Sequence, residues 1–259
     1  MGIGIIYTVI ILFASILGAI VGLGGGVIIR PVFDAIGHHN MLNINFFASA
    51  AILTMAVVST VKKLKDGTEI SLKTALLISM GSVAGGMLGN LFIEHLIYTA
   101  YDEANVQRVQ NIANVVVLVL SLVLTAKGGM RVKVKNRVFP FMLGIFLGAA
   151  AIFLGIGGGP INVPLLIIFF GFPMKQAAAY SIVIIFFSHL SRLITIGVTI
   201  GYGYFDLPVL GFVIPAAIVG GLIGAKCSNV FSDLTVKRLF MAAITAVIIL
   251  NLVNVLFLI

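Results

Sequence analysis

The sequence predicts an all-α integral membrane protein of about eight transmembrane helices, arranged as two four-helix repeats that each contain a glycine-broken helix. Of the 259 residues, 61% are hydrophobic and only 9% are charged, a composition that cannot cover a water-facing surface. Apolar runs long enough to cross a hydrocarbon core of about 30 Å recur along the chain. Because the apolar–polar alternation of barrel strands is absent, helices are expected to satisfy the backbone hydrogen bonds.

Eight apolar runs are the predicted crossings. The first run has no basic residues before it and is longer than the apolar part of a signal peptide, so we expect it to be a membrane helix. The single cysteine, Cys227, excludes a disulfide framework, an iron–sulfur centre and a cysteine-built zinc site. The runs lie at 3–22, 41–61, 72–93, 112–126, 138–156, 177–200, 207–225 and 239–259.

The basic residues predict the orientation of the chain. Nine of the sixteen lysines and arginines fall in two predicted loops, which the positive-inside rule places in the cytoplasm. Counting eight crossings then puts both termini on the cytoplasmic side of the cell (inner) membrane. The net charge of +8 is explained by this topology, so no nucleic-acid partner is expected. The nine residues are Lys62, Lys63, Lys65, Lys73, Lys127, Arg131, Lys133, Lys135 and Arg137.

An internal repeat divides the chain into two halves. The segment GLGGGVIIRPVF at 22–33 matches GIGGGPINVPLL at 155–166 in six of twelve positions, and VAGGMLG at 83–89 matches IVGGLIG at 218–224. The predicted domains are a first repeat at 1–127, a basic cytoplasmic linker at 128–136 and a second repeat at 137–259. Four crossings per repeat is an even number, which favours two parallel repeats over inverted ones.

Each repeat opens with a triple glycine that should break its helix. Irregular backbone at membrane depth is tolerated where it lines a cavity or is buried in protein. Pro160 follows the second triple glycine and suits the first turn of a new helix. A helix that begins at the glycines exposes free N–H groups and the positive end of its dipole, which together bind anions. We therefore expect the two segments to lie close together around one anion site.

Two other patterns of glycines receive a different interpretation. The glycines in 83–89 and 218–224 lie in smooth apolar helices, where small residues usually allow close helix packing. A nucleotide-binding glycine loop is excluded for the triple glycines, because no strand precedes them and no acidic residue follows at the required distance.

The paired G-x-G-G-G…P segments resemble those of the TauE/SafE sulfite exporter family, also called the toluene sulfonate uptake permease family. The resemblance spans essentially the whole chain. It implies secondary transport of small oxyanions, typically sulfite or organosulfonates, without ATP hydrolysis and without a cofactor. The first segment departs from the second, because Val27 and Arg30 stand where Pro160 and Val163 do. The two segments therefore need not contribute equally to a site.

Charged and polar side chains inside the apolar runs are candidates to join the glycines. Arg30 lies four residues past the first triple glycine, where it could bind the anion, pair with Asp34 at i,i+4, or do both. His189 and Arg192 are three residues apart on one helix face. Arg192 could instead snorkel to the headgroups, and His189 could bind an anion, relay a proton or simply pack in the core.

Three uncharged polar residues complete the candidate site. Asn162 follows the second triple glycine, and its amide could donate to an oxyanion without adding charge. Ser49 and Ser181 occupy similar positions in the two repeats, although serines in membrane helices often bond to their own backbone. The candidate substrate-binding residues are Gly24, Gly25, Gly26, Arg30, Ser49, Gly157, Gly158, Gly159, Asn162, Ser181, His189 and Arg192.

Metal binding and catalysis have little support in the sequence. His38, His39 and Asn40 are adjacent, but no third metal ligand accompanies the two histidines, so no metal is expected. No HExxH or G-x-S-x-G motif and no pair of acidic residues inside an apolar run supports an intramembrane enzyme. A channel and a non-transporting assembly subunit stay open as alternatives to a carrier, and so does a homo-oligomer as opposed to a monomer.

Overall fold

The structure is a computed structural model that describes the backbone of residues 2–68, 70–100, 103–127, 132, 134, 136, 138–154 and 158–257. Within these residues it contains ten α-helices, with two short 3-10 turns between α8 and α9 and no strand. The helices are α1 Gly2–Val21, α2 Gly26–Ile36, α3 Met41–Lys65, α4 Leu72–Ala100, α5 Glu103–Lys127, α6 Phe139–Leu154, α7 Gly159–Phe170, α8 Met174–Thr199, α9 Leu210–Val230 and α10 Asp233–Phe257.

Six stretches in the described part of the chain are long and apolar enough to cross a membrane. They are Gly2–Val21, Met41–Lys65, Arg108–Lys127, Met174–Thr199, Leu207–Val230 and Asp233–Asn254. Helices α6 and α7 are apolar but shorter, and α2 has 11 residues. At about 1.5 Å per residue, α2 and α7 are each roughly half as long as a crossing helix.

Helix α2 runs back along α1 towards the residues where α1 begins. The ring of Phe33 on α2 stacks on Tyr7 of α1 with centroids 3.8 Å apart. The Tyr7 hydroxyl also lies 2.8 Å from Nδ1 of His39, just beyond α2. The chain between α1 and α3 therefore returns to the end of the molecule where α1 started, and α1 and α3 run in the same direction.

The two ends of the molecule can be named by these contacts. At one end, which we call the Tyr7 end, Tyr7 lies 6.4 Å from Phe47 of α3 between ring centroids. At the other, which we call the Lys63 end, Ser228 donates to the Ile20 carbonyl oxygen (3.2 Å) and accepts from Lys63 Nζ (3.0 Å). Three lysines in the last turn of α3 mark the Lys63 end.

The sequence predicted both termini on the same side of the membrane as the basic loops. In the structure α1 begins, and α10 ends, away from the lysines of the Lys63 end. Helix α1 begins at the Tyr7 end, away from Lys62 and Lys65. Helix α10 starts beside Lys175, whose backbone N–H donates to Asp233 Oδ1 (2.9 Å), and it runs towards Asn254, which donates to the Pro31 carbonyl oxygen (2.9 Å). The crossing count failed because the short helices each add one reversal of direction.

The two halves also run in opposite directions. Helix α7 returns to the start of α6, where Phe139 and Phe169 pack with ring centroids 5.0 Å apart. This contact lies at the Lys63 end, since Phe172 just beyond α7 stacks on Tyr180, whose hydroxyl accepts from the Ser71 N–H. Helix α6 thus leaves the Lys63 end, whereas α1 approaches it. The expectation of parallel repeats is therefore wrong for the direction of these helices.

Small residues allow close packing between the halves. A Cβ on Gly89 of α4 would lie 2.8 Å from the Ala149 carbonyl oxygen of α6, and a Cβ on Gly220 of α9 would lie 2.7 Å from the Leu12 carbonyl oxygen of α1. Only glycine fits where two helix backbones approach so closely. The packing role predicted for the glycines of 83–89 and 218–224 is confirmed at these positions.

Candidate functional site

The two glycine segments meet in the interior of the molecule. A Cβ on Gly159, the first residue of α7, would lie 2.5 Å from the carbonyl carbon of Leu23, which precedes α2. The predicted proximity of the two segments is confirmed by this contact. Gly157 lies outside the described residues, as do 155 and 156.

Glycine is required at the residues that start both short helices. Gly25 precedes α2 with φ 75°, and Gly158 precedes α7 with φ 71°. Residues with a side chain rarely adopt this backbone conformation. A Cβ on Gly25 would also lie 3.0 Å from the Ala14 carbonyl oxygen. The glycines therefore allow both the positive φ of the turn and, at Gly25, the close packing against α1.

Neither short helix has a side-chain cap at its start. The Gly25 carbonyl oxygen accepts from the N–H groups of Ile28 and Ile29, and the Gly158 carbonyl oxygen accepts from Ile161 and Asn162. The N–H groups before these have no intrahelical acceptor, because no residue precedes them in the helix. Two positive helix ends therefore face the same interior region.

Arg30 is buried and joins the two halves. Its Nη1 donates to the Leu154 carbonyl oxygen at the end of α6 (2.8 Å), and its Nη2 donates to Gln110 Oε1 (2.5 Å). Its Nε lies 3.8 Å from Asp34 Oδ2, so the pairing with Asp34 that the sequence allowed is present. Arg30 thus holds the end of α6, and two of its N–H groups are engaged by protein acceptors.

A polar stripe on α5 was missed in the sequence. Gln110 Nε2 donates to the Phe153 carbonyl oxygen (2.8 Å), and Asn114 Nδ2 donates to that of Leu154 (3.2 Å). Further along the same face, Ser121 donates to the Pro160 carbonyl oxygen (2.5 Å). These side chains hold both ends of the second glycine segment. Their spacing of four and seven residues, in and just before an apolar run, was the signal that could have revealed them.

His189 and Arg192 lie in the interior, and neither side chain has a hydrogen bond or ion pair with a described residue. His189 is 1% exposed, and neither ring nitrogen has a hydrogen-bond partner among the described residues. Arg192 is 8% exposed, and within the described residues no acceptor or carboxylate contacts its guanidinium. The charges of Arg192 and Arg30 are close enough to repel each other. The snorkelling interpretation of Arg192 is wrong, because the side chain is buried and α8 continues to Thr199.

Asn162 has both polar atoms of its amide available. It is 1% exposed, and in the part of the chain that the structure describes neither its Oδ1 nor its Nδ2 has a hydrogen-bond partner. The amide lies over the start of α7, with Oδ1 3.3 Å from the position a Cβ would take on Gly158. A buried amide without partners is costly, which is a reason to expect a polar ligand beside it.

The two candidate serines bond to backbone carbonyls. Ser181 donates to the Gly22 carbonyl oxygen (2.6 Å) and so holds the first glycine segment against α8. Ser49 donates to the Asn45 carbonyl oxygen of its own helix (2.7 Å), which is the alternative role considered for it. Neither hydroxyl has its hydrogen free for a ligand in this arrangement.

The histidines after α2 have structural partners. His39 contacts Tyr7 and lies 3.6 Å from Asp206 between Nε2 and Oδ2. Asn40 caps α3 by accepting from the Asn43 N–H (2.9 Å). Among the residues that the structure describes, no group of three metal-ligating side chains comes together.

Comparisons with known proteins agree with the membrane architecture. The sequence profile of the family described as Sulfite exporter TauE/SafE matches residues 7–251. The chain is 27% identical to the Probable membrane transporter protein YunE of Bacillus subtilis, over 90% of this chain and 91% of that protein. It is 23% identical to the Probable membrane transporter protein MJ0441 of Methanocaldococcus jannaschii, over 84% of each. No solved structure matches the chain significantly.

Proposed function

Because this chain belongs to the TauE/SafE sulfite exporter family, we propose that it is a secondary transporter of small oxyanions, sulfite or an organosulfonate, across the cytoplasmic membrane. Membership of the family and the apolar helices support a multi-pass membrane transporter, a class of protein that is generally not enzymatic. The nature of the substrate is the proposed part.

The observation that carries the proposal is an interior region with positive potential, in which Asp34 pairs with Arg30 but no described carboxylate pairs with Arg192. Helices α2 and α7 start there without side-chain caps, Asn162 offers an amide without partners, and Arg192 has no counter-ion among the described residues. A buried guanidinium without an anion is strongly unfavourable. A bound oxyanion would accept hydrogen bonds from the helix N–H groups and from Arg192. Its negative charge would balance the positive charge of the guanidinium.

The proposed site uses the predicted residues unequally. Asn162 and His189 have buried polar atoms without a partner among the described residues, and the buried Arg192 has no ion pair with them. All three are assigned to direct contact with the anion. Arg30 contributes charge while it holds Leu154 and Gln110. The triple glycines supply the helix starts, and Ser49 and Ser181 support them through the backbone.

The opposite directions of α1 and α6 support a carrier. We propose that the two repeats, 1–127 and 137–259, are related by an axis in the membrane plane and rock around the shared glycine region, as inverted repeats do in other transporters. With the Lys63 end in the cytoplasm by the positive-inside rule, both termini lie outside. An anion channel is the second candidate, since broken helices that meet in the interior also occur in channels.

Flux measurements test the transported species. Purified chain in proteoliposomes is expected to take up radiolabelled sulfite saturably and to exclude chloride, because two helix ends and Arg192 favour an oxyanion with several acceptors. Uptake should be compared with that of empty liposomes and repeated with sulfoacetate as competitor. Uptake that rises linearly with concentration and extends to chloride would support the channel instead.

A further inference from the structure

A polar cavity opens at the Lys63 end of the molecule. Its volume is about 450 Å³, enough for a small oxyanion with several waters. It lies among the end of α3, the start of α8, the end of α9 and the start of α10. Its lining includes Lys63, Asp66, Lys175, Ser228, Asn229 and Asp233.

Lys63 is a buried cation in the wall of this cavity. It is 2% exposed, unlike a lysine that only marks the cytoplasmic end of a helix. Its Nζ donates to Ser228 Oγ at 3.0 Å, which uses one of the three N–H groups of the ammonium. Within the described residues no carboxylate lies within 4 Å of it. The positive-inside rule therefore does not explain the position of this side chain.

The second cation, Lys175, increases the positive charge at the same place. Its charge is close enough to that of Lys63 to repel it. Lys175 Nζ donates to the Asn229 carbonyl oxygen at 3.0 Å, which leaves two further N–H groups. Two ammonium groups on one cavity without a shared anion are unfavourable in the unliganded protein.

The carboxylates of the cavity have other partners nearer the solvent. Asp66 accepts from Lys62 (2.8 Å) and from Asn229 (2.6 Å). The hydrogen bond from Lys62 holds the pKa of Asp66 below its ordinary value, and the one from Asn229 acts in the same direction. Asp233 is exposed and accepts from the Lys175 backbone N–H. The inner wall, at Lys63, is therefore the cationic part of the cavity.

The cavity adjoins the first glycine segment. Ser228 accepts from Lys63 and donates to the Ile20 carbonyl oxygen, two residues before Gly22. Ser181 donates to the Gly22 carbonyl oxygen (2.6 Å) from α8, fewer than two turns beyond Lys175. An anion held by Lys63 would therefore lie next to the start of the glycine region.

We propose that this cavity is a second oxyanion site, a vestibule in which Lys63 and Lys175 hold the transported anion on its way between the solvent at the Lys63 end and the glycine region. The inference rests on the proposed function, because it assigns the vestibule to the same anion. It predicts that the affinity for the anion depends on Lys63 at one face of the membrane only.

Uptake of [³⁵S]sulfite into right-side-out and everted membrane vesicles tests the vestibule. Lys63→Met is expected to raise the KM for sulfite about ten-fold or more at one face, as expected for the loss of a charge-assisted contact, and to leave the KM at the other face within about two-fold. Lys65→Met is the matched control, because Lys65 is a neighbouring exposed lysine that does not line the cavity. It should change neither KM.

A second variant covers the case in which Lys63→Met does not fold. Lys175→Met removes a half-buried cation and should raise the KM at the same face, by a smaller factor. Equal KM values for wild type and both variants at both faces would overturn the vestibule, and so would an equal rise at both faces. If the wild type itself moves no sulfite, the proposed function fails and the vestibule with it. If the wild type transports sulfite and both variants keep its KM values, the vestibule is contradicted but the proposed function is not.

Discussion

Gly159→Ala is expected to abolish most anion flux and to destabilise the protein. The new Cβ would lie 2.5 Å from the carbonyl carbon of Leu23, and a backbone atom cannot move aside as a flexible side chain can. Relieving the overlap has to push the two glycine segments apart. Overpacking of this kind costs about 1–3 kcal/mol or more, and we expect flux below roughly a tenth of wild type, since misplacement by about 1 Å is enough for such a loss.

A matched control separates this effect from a general cost of replacing glycine. Gly211 lies in the first turn of α9, and a Cβ there would meet nothing within 4 Å. Gly211→Ala should therefore melt at or slightly above the wild-type temperature, because alanine favours helix, and should transport normally. Thermal melting and flux are measured on the same samples. If Gly159→Ala behaves like the control in both, the two segments are not in contact.

Arg192→Gln is expected to lower anion affinity without weakening the fold. The guanidinium has no acceptor among the described residues and is repelled by Arg30, so its removal relieves an unfavourable burial. Losing a charge-assisted contact to the anion should cost about 1.5–3 kcal/mol, or roughly ten- to a hundred-fold in the KM for sulfite. The melting temperature should stay the same or rise.

Arg30→Gln provides the contrasting case on the same measurements. Its guanidinium donates to Leu154 and Gln110, so the shorter side chain should leave these acceptors without partners and lower the melting temperature. An unchanged KM in Arg192→Gln would remove Arg192 from the site. A normal melting temperature in Arg30→Gln would show that its contacts across the halves add no stability.

The helical membrane class and the residues at which the short helices begin could be predicted from the sequence. The apolar runs predicted a helical membrane protein, and the triple glycines predicted where α2 and α7 begin. These features are local, because positive φ at Gly25 and Gly158 depends on the residue itself. Close packing at Gly89 and Gly220 followed from the spacing of small residues in an apolar helix.

The directions of the helices and the contacts between distant residues could not be predicted from the sequence in the same way. Whether α2 lies flat or runs back along α1 is decided by Phe33 stacking on Tyr7, a contact between residues 26 positions apart. The difference in the position of the termini relative to the basic residues followed from this reversal and from the similar one at α7. Lys63 looked like any basic residue at a helix end, and only Ser228, far away in the chain, shows that it is buried. Arg30 likewise donates to an acceptor in the other half of the chain, the Leu154 carbonyl oxygen.

The location of a bound anion tests the central claim most directly. Crystals of the wild-type protein grown with selenite, a heavier analogue of sulfite, would show the anion through anomalous scattering from selenium. The account predicts a peak at the starts of α2 and α7, within about 3.5 Å of the Asn162 amide and the Arg192 guanidinium. A second peak beside Lys63 would also agree with it. A protein that transports selenite but shows no peak at the glycine region, with Asn162 and Arg192 unliganded, would contradict it.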